Sequence, residues 1–488
     1  MRICLNVLLY LAKIDNHNMF SNDFGDIKID ADNVNSGDFF VAIDCNKYDL
    51  TDGAIGFTNN EDSVWGLGGT IDSEKTINTA LQNGARYVFL DNKILFDNIK
   101  DRRCILIDDC MDFLIEIAKH IINKTKVKIL AVTGSMGKTT TVFTIYNLLS
   151  VKYNVIRIHR IRNSVLGMSL EIISYLNEDT DFLIVEMQLD GKKQIDSFCR
   201  IAKPDFSVIT SINYSHYSRF QSIDTILYEK TAVYRNLKVD GKCLINGDDI
   251  RLSKWAAEQK DKRIIKLGFS DINDLYFSSI EKCGKLNCYT VSISGLLNHK
   301  KVKTNINNKG TLIASLYAIY FAKLFNIDFS ILREYINKTN NPVGRFNGFR
   351  GVNDSFVIVD SYNANSNSVI NGLEYVNGLK NYKTKIILLG SLLELGDKTE
   401  SEHIKVGKYI NDFCDFNYLI TLGEGATYIA KQINNKISQV KSFFEYEDII
   451  GYINKNITID SSTVIYIKGS GGMRMEILAP HFLSTRLF

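Results

Sequence analysis

The chain has 488 residues, which is too long for one comfortable hydrophobic core and predicts two to four domains. Apolar residues make up 45% and charged residues 23% of the sequence, as in ordinary globular proteins. The 58 basic residues nearly balance the 55 acidic ones, so the net charge of +3 argues against nucleic acid or a membrane surface as a main partner.

The cysteines and the N-terminus both predict a cytoplasmic protein. The 9 cysteines are scattered and form no CxxC pair, which indicates reduced thiols, although Cys283 and Cys288 could clip a hairpin. The apolar start, residues 1–12, is interrupted by Asn6 and followed at once by Lys13, which favours a packed helix over a signal peptide. No apolar run reaches about 18 residues, so we expect no membrane span.

Short strands and helical patterns alternate through the first part of the chain. This alternation is complete by about residue 126 and predicts a small α/β domain at the N-terminus. The expected elements are strands within 26–44, a helix at 73–83, and strands at 86–90 and 104–107.

The segment 128–149 has the pattern of a phosphate-binding loop. An apolar strand ends at Gly134, a tight turn closes on Gly137, and a helical pattern follows. Glycines let backbone N–H groups turn toward an anion, and the new helix adds the positive end of its dipole. Lys138 would then reach the terminal phosphates of a nucleotide, and the Thr139 hydroxyl would bind Mg²⁺. The first glycine comes later than in the usual P-loop, and the alternative is an ordinary strand-to-helix turn.

Beyond the loop, single apolar strands separated by helices predict a parallel sheet covered on both faces. Ligands gather at the C-terminal ends of such strands, and Glu186 directly follows the strand at 182–185. Its carboxylate is a candidate Mg²⁺ ligand, and the alternative is an acid that faces solvent. His216 and Lys230 come later in the chain, and each taken alone is typical of a loop histidine or a solvated helix lysine.

The last third of the chain shows another α/β alternation, after an antiparallel insertion expected at 262–307. Three of its strands are each followed by a polar or glycine-rich loop, at 360–365, 390–397 and 468–476. One such loop is no more than a turn, but three in one domain predict an edge that faces a ligand. The predicted domains are 1–126, 127–341 and 342–488.

These loops resemble those of a known family. Thr133 to Thr140 is similar to the ATP loop of the Mur ligases, and the third-domain loops resemble the branch that adds D-alanyl-D-alanine. The similarity runs in order over nearly the whole chain, including residues 37–42 near the start. In the third domain it is carried by Gly344-Arg345, Asp360 to Asn365, Leu393 to Gly396, His403, Val406-Gly407, Lys468 to Ser470 and Met473 to Glu476.

The resemblance implies a three-domain enzyme with a UDP-sugar domain, an ATPase domain and a C-terminal domain that closes over ATP. It would join D-alanyl-D-alanine to UDP-N-acetylmuramoyl tripeptide through an acyl phosphate, in peptidoglycan synthesis. We expect a cytoplasmic monomer that acts on small molecules.

The resemblance also assigns roles to residues. Catalysis would rest on Lys138, His216 and Lys230, and Mg²⁺ would be held by Thr139, Glu186, His216 and a carbamylated Lys230. The residues expected to bind ATP are Gly134, Ser135, Met136, Gly137, Lys138, Thr139, Thr140, Arg345 and Asp360. The residues expected to bind substrate are Asn163, Ser164, Asn363, Asn365, Glu394 and Lys468.

The departures from the family concentrate in the part that would recognise the nucleotide sugar. Asp30-Ala31-Asp32-Asn33 stands where the family has Ser-Arg, and segments 46–50 and 160–164 also differ. Ser218 and Ala232 each replace a glutamate of this branch. A paralogue with the same chemistry on another carboxylate is therefore an alternative. A nucleotide-binding switch without turnover is a further one, although the retained ATP-site residues argue against it.

Overall fold

The computed structural model describes most of the chain. The described residues are 2–14, 23–43, 74–158, 165–215, 217–282, 289–297, 299–304, 309–338, 341–434 and 437–484. They form three α/β domains in chain order, as the alternation of strands and helices predicts. None of their helices has the length and hydropathy needed to cross a bilayer.

The N-terminal domain is built on a small parallel sheet. Its 4 strands lie in the order β3-β4-β5-β6, and a short antiparallel pair, β1 and β2, precedes them. The elements are β1 (Ile3–Cys4), α1 (Leu5–Leu11), β2 (Phe24–Gly25), β3 (Ile27–Lys28), β4 (Phe39–Ala42), α2 (Glu74–Gln82), β5 (Tyr87–Leu90), α3 (Lys93–Ile99), β6 (Cys104–Leu106) and α4 (Cys110–Lys124). Helix α1 is the packed helix expected at the start, with Leu5, Leu8 and Leu9 buried.

The first half of the central domain contains the phosphate loop. Its elements are β7 (Lys128–Thr133), α5 (Lys138–Leu149), β8 (Val155–Arg157), α6 (Val165–Tyr175), β9 (Phe182–Glu186), α7 (Gln194–Ile201), β10 (Phe206–Ile209), α8 (Tyr217–Phe220), α9 (Ile223–Lys230) and α10 (Ala232–Arg235). Thr231 separates α9 from α10, and Lys230 is the last residue of α9.

The second half of the central domain extends the same sheet. Its elements are β11 (Lys242–Asn246), α11 (Ile250–Gln259), β12 (Ile264–Gly268), β13 (Leu275–Lys282), β14 (Tyr289–Gly295), β15 (Lys300–Thr304), α12 (Lys309–Leu324) and α13 (Phe329–Lys338). Strands β13 to β15 pair antiparallel, which confirms the antiparallel insertion, while β12 still pairs parallel with both of its neighbours.

The order of the 9-stranded central sheet places the phosphate loop at its centre. The strands run β15-β14-β13-β12-β11-β10-β7-β9-β8, so β7 lies between β9 and β10. The chain leaves β7 toward one side and later returns on the other, which opens a crevice at the carboxyl ends of these strands. Glu186 and the phosphate loop therefore lie next to each other at that edge.

Both faces of the central sheet are covered, as predicted for a parallel sheet. On one face α5 and α12 pack on alternate strand residues such as Leu130 and Val132. On the other face the core continues without a break into the N-terminal domain, where α4 packs against α6. The first two domains therefore share one apolar core.

The C-terminal domain is a doubly wound α/β unit. Its 6 strands lie in the order β16-β17-β21-β18-β19-β20, and only the β16–β17 pair is antiparallel. The elements are β16 (Asn347–Arg350), β17 (Phe356–Asp360), α14 (Ser366–Asn377), β18 (Thr384–Gly390), α15 (Thr399–Phe413), β19 (Tyr418–Leu422), α16 (Glu424–Ala430), β20 (Gln439–Phe443), α17 (Tyr446–Asn456) and β21 (Thr463–Lys468).

Two local features of this domain shape its ligand edge. The loop predicted at 468–476 contains a 3-10 segment, Gly471–Met473, and a second one, Met475–His481, follows Arg474. Gly372 lets α14 lie directly on β21, because a Cβ at this position would stand 1.8 Å from the Tyr466 hydroxyl oxygen.

The predicted domain boundaries at 126/127 and 341/342 stay a prediction. The three main sheets lie within 27–106, 128–304 and 347–468.

Candidate active site

A cleft of about 560 Å³ lies between the central and C-terminal domains. The central domain contributes the phosphate loop and the end of β9. The C-terminal domain contributes residues of its loops at 360–365, 390–397 and 468–476, which we call the ligand-edge loops. The two halves of the predicted ATP site, far apart in sequence, thus face each other across one cavity. A cavity of this size suits a nucleotide or another small ligand.

The phosphate loop has the backbone geometry that a glycine requires. Gly134 has φ +141°, and a Cβ there would stand 1.9 Å from the Thr210 side-chain oxygen. Gly137 has φ +77° and directly precedes α5. The first intrahelical bond runs from Thr141 N–H to the Gly137 carbonyl, so the N–H groups of the first turn point toward the cleft end of the helix. This is an anion-binding helix N-terminus.

Two lysine side chains converge on one carbonyl of this loop. Lys138 Nζ donates to the Gly134 carbonyl at 2.9 Å, and Lys230 Nζ donates to the same oxygen at 3.2 Å. Lys230 is only 1% exposed. Burial, reinforced by the nearby positive charge of Lys138, lowers the pKa of Lys230 well below its ordinary value, and Asp190 only partly opposes this. Lys230 is therefore a buried amine whose charged form is disfavoured by burial, unlike a lysine exposed to solvent on a helix surface.

Hard oxygen atoms meet beside the loop. The Thr139 hydroxyl donates to Glu186 Oε1 at 3.2 Å, and Glu186 is a buried carboxylate at the end of β9. Across the described residues, no group of three or more His, Cys, Asp or Glu side chains forms a metal cluster. A hydroxyl and a carboxylate at one edge are nevertheless the donor types that Mg²⁺ uses next to nucleotide phosphates. The pair fits the predicted metal site in its chemistry.

Arg345 closes the cleft from the C-terminal domain. Its Nη2 donates to the Thr139 hydroxyl at 3.0 Å, and its guanidinium lies 3.5 Å from the centroid of the Tyr362 ring. Stacking on Tyr362 holds the planar guanidinium in one orientation. The arginine expected at ATP therefore reaches the same threonine that is expected at the metal.

Asp360 holds together the part of the cleft lining that the C-terminal domain contributes. Its carboxylate accepts hydrogen bonds from Lys468 Nζ at 2.7 Å, from the Tyr466 hydroxyl at 3.1 Å and from the Phe346 backbone N–H at 3.2 Å. Lys468 also donates to the carbonyls of Asp360 and Asn363, so its ammonium is occupied within the domain. Burial lowers the pKa of Lys468, although the Asp360 charge opposes the shift. The structure thus places Lys468 as a support for Asp360, while its expected substrate contact stays a prediction.

The other expected substrate residues of this domain line the same cleft. Asn365 caps α14 by accepting a hydrogen bond from Ser368 N–H at 3.0 Å, and the Asn363 side chain accepts from Ala364 N–H at 2.8 Å. Glu394 has φ +63°, a left-handed conformation that costs a non-glycine residue about 1–2 kcal/mol. Its carbonyl accepts from Ser218 N–H at 3.1 Å, which is a second contact between the two domains.

His403 supports the loop that carries Glu394. Its Nε2 accepts from Leu392 N–H at 2.8 Å, which leaves the proton on Nδ1 to donate to the Thr399 carbonyl at 2.6 Å. Burial lowers the pKa of this histidine below its usual value. His403 is therefore a neutral structural residue rather than a ligand.

Several predicted residues lie outside the described part of the chain. They are His216, Asn163 and Ser164, together with segment 46–50 and the Cys283/Cys288 pair. In the N-terminal domain, Asp30 accepts from Asp32 N–H at 3.1 Å and from the Asn33 side chain at 2.7 Å, so its carboxylate caps its own turn. Asp32 itself is exposed.

The sequence did not single out several residues that line the cleft. They are Gln188, Asp190, Ser215, Gly310, Thr311 and Asn371. Gln188 and Asp190 follow the apolar strand β9, a position that could have flagged them. Gly310 and Thr311 belong to the start of α12 and Asn371 lies inside α14, and only the packing of the two domains brings them to the site.

The fold and the site together define a class of protein. A phosphate loop at the centre of a parallel sheet, an adjacent threonine–carboxylate pair and a separate α/β domain that adds an arginine make a nucleotide-dependent enzyme whose active site lies between domains.

Comparison with known proteins identifies the family. Residues 132–315 match the Mur ligase middle domain, and residues 344–471 match the Mur ligase, glutamate ligase domain. The UDP-N-acetylmuramoyl-tripeptide--D-alanyl-D-alanine ligase of Rickettsia prowazekii is 26% identical over 94% of this chain and 95% of its own length. The Bacillus subtilis ligase of the same name is 25% identical over 86% and 90%.

Solved structures share the fold. The MurF ligase of Thermotoga maritima, determined in complex with ADP, superposes with a TM-score of 0.76 at 21% identity and covers 94% of this chain and 96% of its own. MurF from Acinetobacter baumannii gives a TM-score of 0.79 at 17% identity, with 98% of each chain covered. This chain belongs to the Mur ligase family, and it is an ATP-dependent ligase.

We expect Gly134→Ala to abolish nucleotide binding, because the new Cβ would collide with Thr210 and displace the loop. Gly191→Ala is the matched control, since a Cβ at Gly191 meets no atom within 4 Å. Calorimetric titration with ADP measures both variants. ADP affinity of Gly134→Ala near that of the wild type would contradict this geometry of the loop.

Proposed function

We propose that this protein joins the amino group of D-alanyl-D-alanine to the terminal carboxylate of UDP-N-acetylmuramoyl tripeptide, as a step of peptidoglycan synthesis in the cytoplasm. The single observation that carries the proposal is the hydrogen bond from Arg345 to Thr139, because it places a C-terminal-domain cation on the phosphate loop. Relatives of this specificity match the chain over nearly its full length, which supports the same choice of substrates.

In the first half-reaction, the tripeptide carboxylate attacks the γ-phosphate of ATP, the bond to the β–γ bridging oxygen breaks, and ADP leaves an acyl phosphate behind. Lys138, Arg345 and the N-terminus of α5 stabilise the charge that spreads over the transferring phosphoryl group. Thr139 and Glu186 would hold Mg²⁺, which neutralises phosphate charge and orients the nucleotide when it is bound. The C-terminal domain excludes water that would hydrolyse the acyl phosphate.

Lys230 fits a carbamate. Only a neutral amine attacks CO₂, and burial lowers the pKa of Lys230 so that the neutral form is available. The product would be an anion beside the Gly134 carbonyl of the phosphate loop, suited to a metal. His216 is the remaining residue that the resemblance implies as a metal ligand, and we include it in the proposed metal site.

In the second half-reaction, the amine attacks the acyl carbon and phosphate leaves. We assign Glu394 to hold the incoming ammonium group and to accept its proton. Glu394 lines the cleft, and Asp360, a second carboxylate of the lining from this domain, accepts from Lys468, Tyr466 and Phe346. Asn363 and Asn365 lie on the neighbouring loop, and Lys468 fixes its position through the Asn363 carbonyl. Together they would form the dipeptide side of the cleft.

A second candidate function is a paralogue reaction on another carboxylate. The Asp30 to Asn33 turn motivates it, because an exposed Asp32 is an anion where the family carries a cation for the nucleotide sugar. Asn163 and Ser164 belong to the other rewritten segment. A switch protein that binds ATP without turnover would have no use for the low-pKa amine of Lys230.

The deciding experiment gives the purified protein ATP, Mg²⁺, UDP-N-acetylmuramoyl tripeptide and D-alanyl-D-alanine, and follows phosphate release. Release that needs both substrates, with the amide product identified by mass spectrometry, is the expected result. ATP consumption only with a different acid and amine would instead favour the paralogue. ATP binding without amide formation across a broad panel of acids and amines would favour a nucleotide-binding switch protein without turnover.

Lys230→Ala should lower kcat at least about a hundredfold, because it removes the group proposed to become a metal-binding carbamate. The exposed Lys192→Ala is the control and should keep wild-type turnover. Isotopically labelled bicarbonate should give a carbamate carbon signal in the wild type that is missing in Lys230→Ala. Normal turnover of Lys230→Ala would rule out the carbamate.

Glu394→Gln should raise KM for the dipeptide about tenfold or more, because a charged hydrogen bond to the ammonium is lost. Formation of the acyl phosphate, trapped with hydroxylamine, should be unchanged. Glu394→Gly should show the same defect, although glycine relieves the left-handed backbone at this position. The exposed Glu400→Gln is the control. If both Glu394 variants bind the dipeptide normally, Glu394 only shapes the loop.

A further inference from the structure

The cleft lining contains both charged and uncharged groups. Glu186, Asp190 and Glu394 contribute carboxylates, and Lys138 and Arg345 contribute cations. Gly310 and Thr311 of the central domain and Phe346 and Asn371 of the C-terminal domain contribute uncharged groups. The phosphates of a nucleotide suit the phosphate loop and Arg345, so its uncharged base suits the uncharged part of the lining.

Asn371 faces the start of α12 across the domain boundary. Lys309, the first residue of α12, contacts the Glu374 carboxylate at 2.9 Å, and Glu374 lies three residues after Asn371 on α14. Residues three apart share one face of a helix, so Asn371 lies on the α14 face turned toward Gly310 and Thr311. The Thr311 hydroxyl is already engaged, since it donates to Asn341 at 2.7 Å.

The Asn371 side chain is placed to recognise a ligand. Within the described ranges its amide makes no hydrogen bond to the protein, although it lines the cleft. Phe346 adds an apolar wall near Asn371, because its ring is held edge-on against Tyr375, one turn after Asn371 on α14, with 5.0 Å between ring centroids. An apolar wall with one amide beside it suits a planar heterocycle that carries a hydrogen-bonding edge.

We propose that Asn371 reads the base of the bound nucleotide and selects adenine. A carboxamide offers one acceptor and one donor side by side, which match the amino group and the adjacent ring nitrogen of adenine. Guanine presents two acceptors along the corresponding edge and leaves the amide oxygen facing another acceptor. The inference rests on the proposed function in that ATP is the nucleotide, and it assigns the residue that makes the choice.

Binding of ADP and GDP to the full-length chain tests this assignment without any acceptor substrate. Asn371→Ala should weaken ADP binding about tenfold or more and change GDP binding much less, so that the preference for ADP falls. Asn367→Ala is the matched control, because Asn367 lies on the same helix and its side chain instead accepts from Lys405 at 2.7 Å. It should leave both affinities unchanged.

Two results would overturn the assignment: unchanged ADP affinity in Asn371→Ala, or an equal loss for ADP and GDP, which would place Asn371 at the sugar or phosphates. Circular dichroism and the melting temperature identify a variant that is merely misfolded, and Asn371→Ser, which keeps a small polar side chain but cannot make both bonds, then replaces it. Failure of the ligase assay with intact ADP selectivity would contradict the proposed function and leave Asn371 as the base reader.

Discussion

The hydrogen bond between Arg345 and Thr139 is the contact on which the rest of the active site depends. It joins two residues separated by 206 positions and brings a cation of the C-terminal domain to the phosphate loop. Tyr362 fixes the guanidinium from below, and Asp360 holds the next residue, Phe346, through its backbone N–H. The nucleotide pocket is therefore complete only when the C-terminal domain rests on the central sheet, because neither domain alone supplies both walls.

The segment that follows β10 contacts both the phosphate loop and the C-terminal domain. Ser135 N–H donates to the Ser211 carbonyl at 2.8 Å, and the Ser135 hydroxyl accepts from Asn213 N–H at 2.9 Å. A few residues later, Ser218 N–H donates to the Glu394 carbonyl of the C-terminal domain. One short stretch of chain thus contacts both the phosphate loop and the proposed amine loop. A change in domain position would move both together, which suits a reaction whose two halves must occur in order.

How far the sequence predicts this site follows from the range of each interaction. The phosphate loop, Glu186 and the three ligand-edge loops are local strand-to-loop patterns, and the structure places them at one cleft. The sequence could not predict that the Lys468 ammonium is bound by Asp360, because the two residues are 108 positions apart. Asn371 was missed for a similar reason, since a single asparagine inside a helix carries no pattern and acquires a role only through α12 across the boundary.

The charges around the phosphate loop bear on the carbamate proposed at Lys230. Lys138, Lys230 and Arg345 lie close to the loop, while Lys468 and Asp360 neutralise each other at 2.7 Å. Three cations would suit phosphate binding, yet burial lowers the pKa of Lys230 and so disfavours its charged form. An uncharged lysine would contribute neither an anion for Mg²⁺ nor a cation for phosphate. The proposed carbamylation would instead give this buried lysine oxygen atoms able to bind a metal at the phosphate loop.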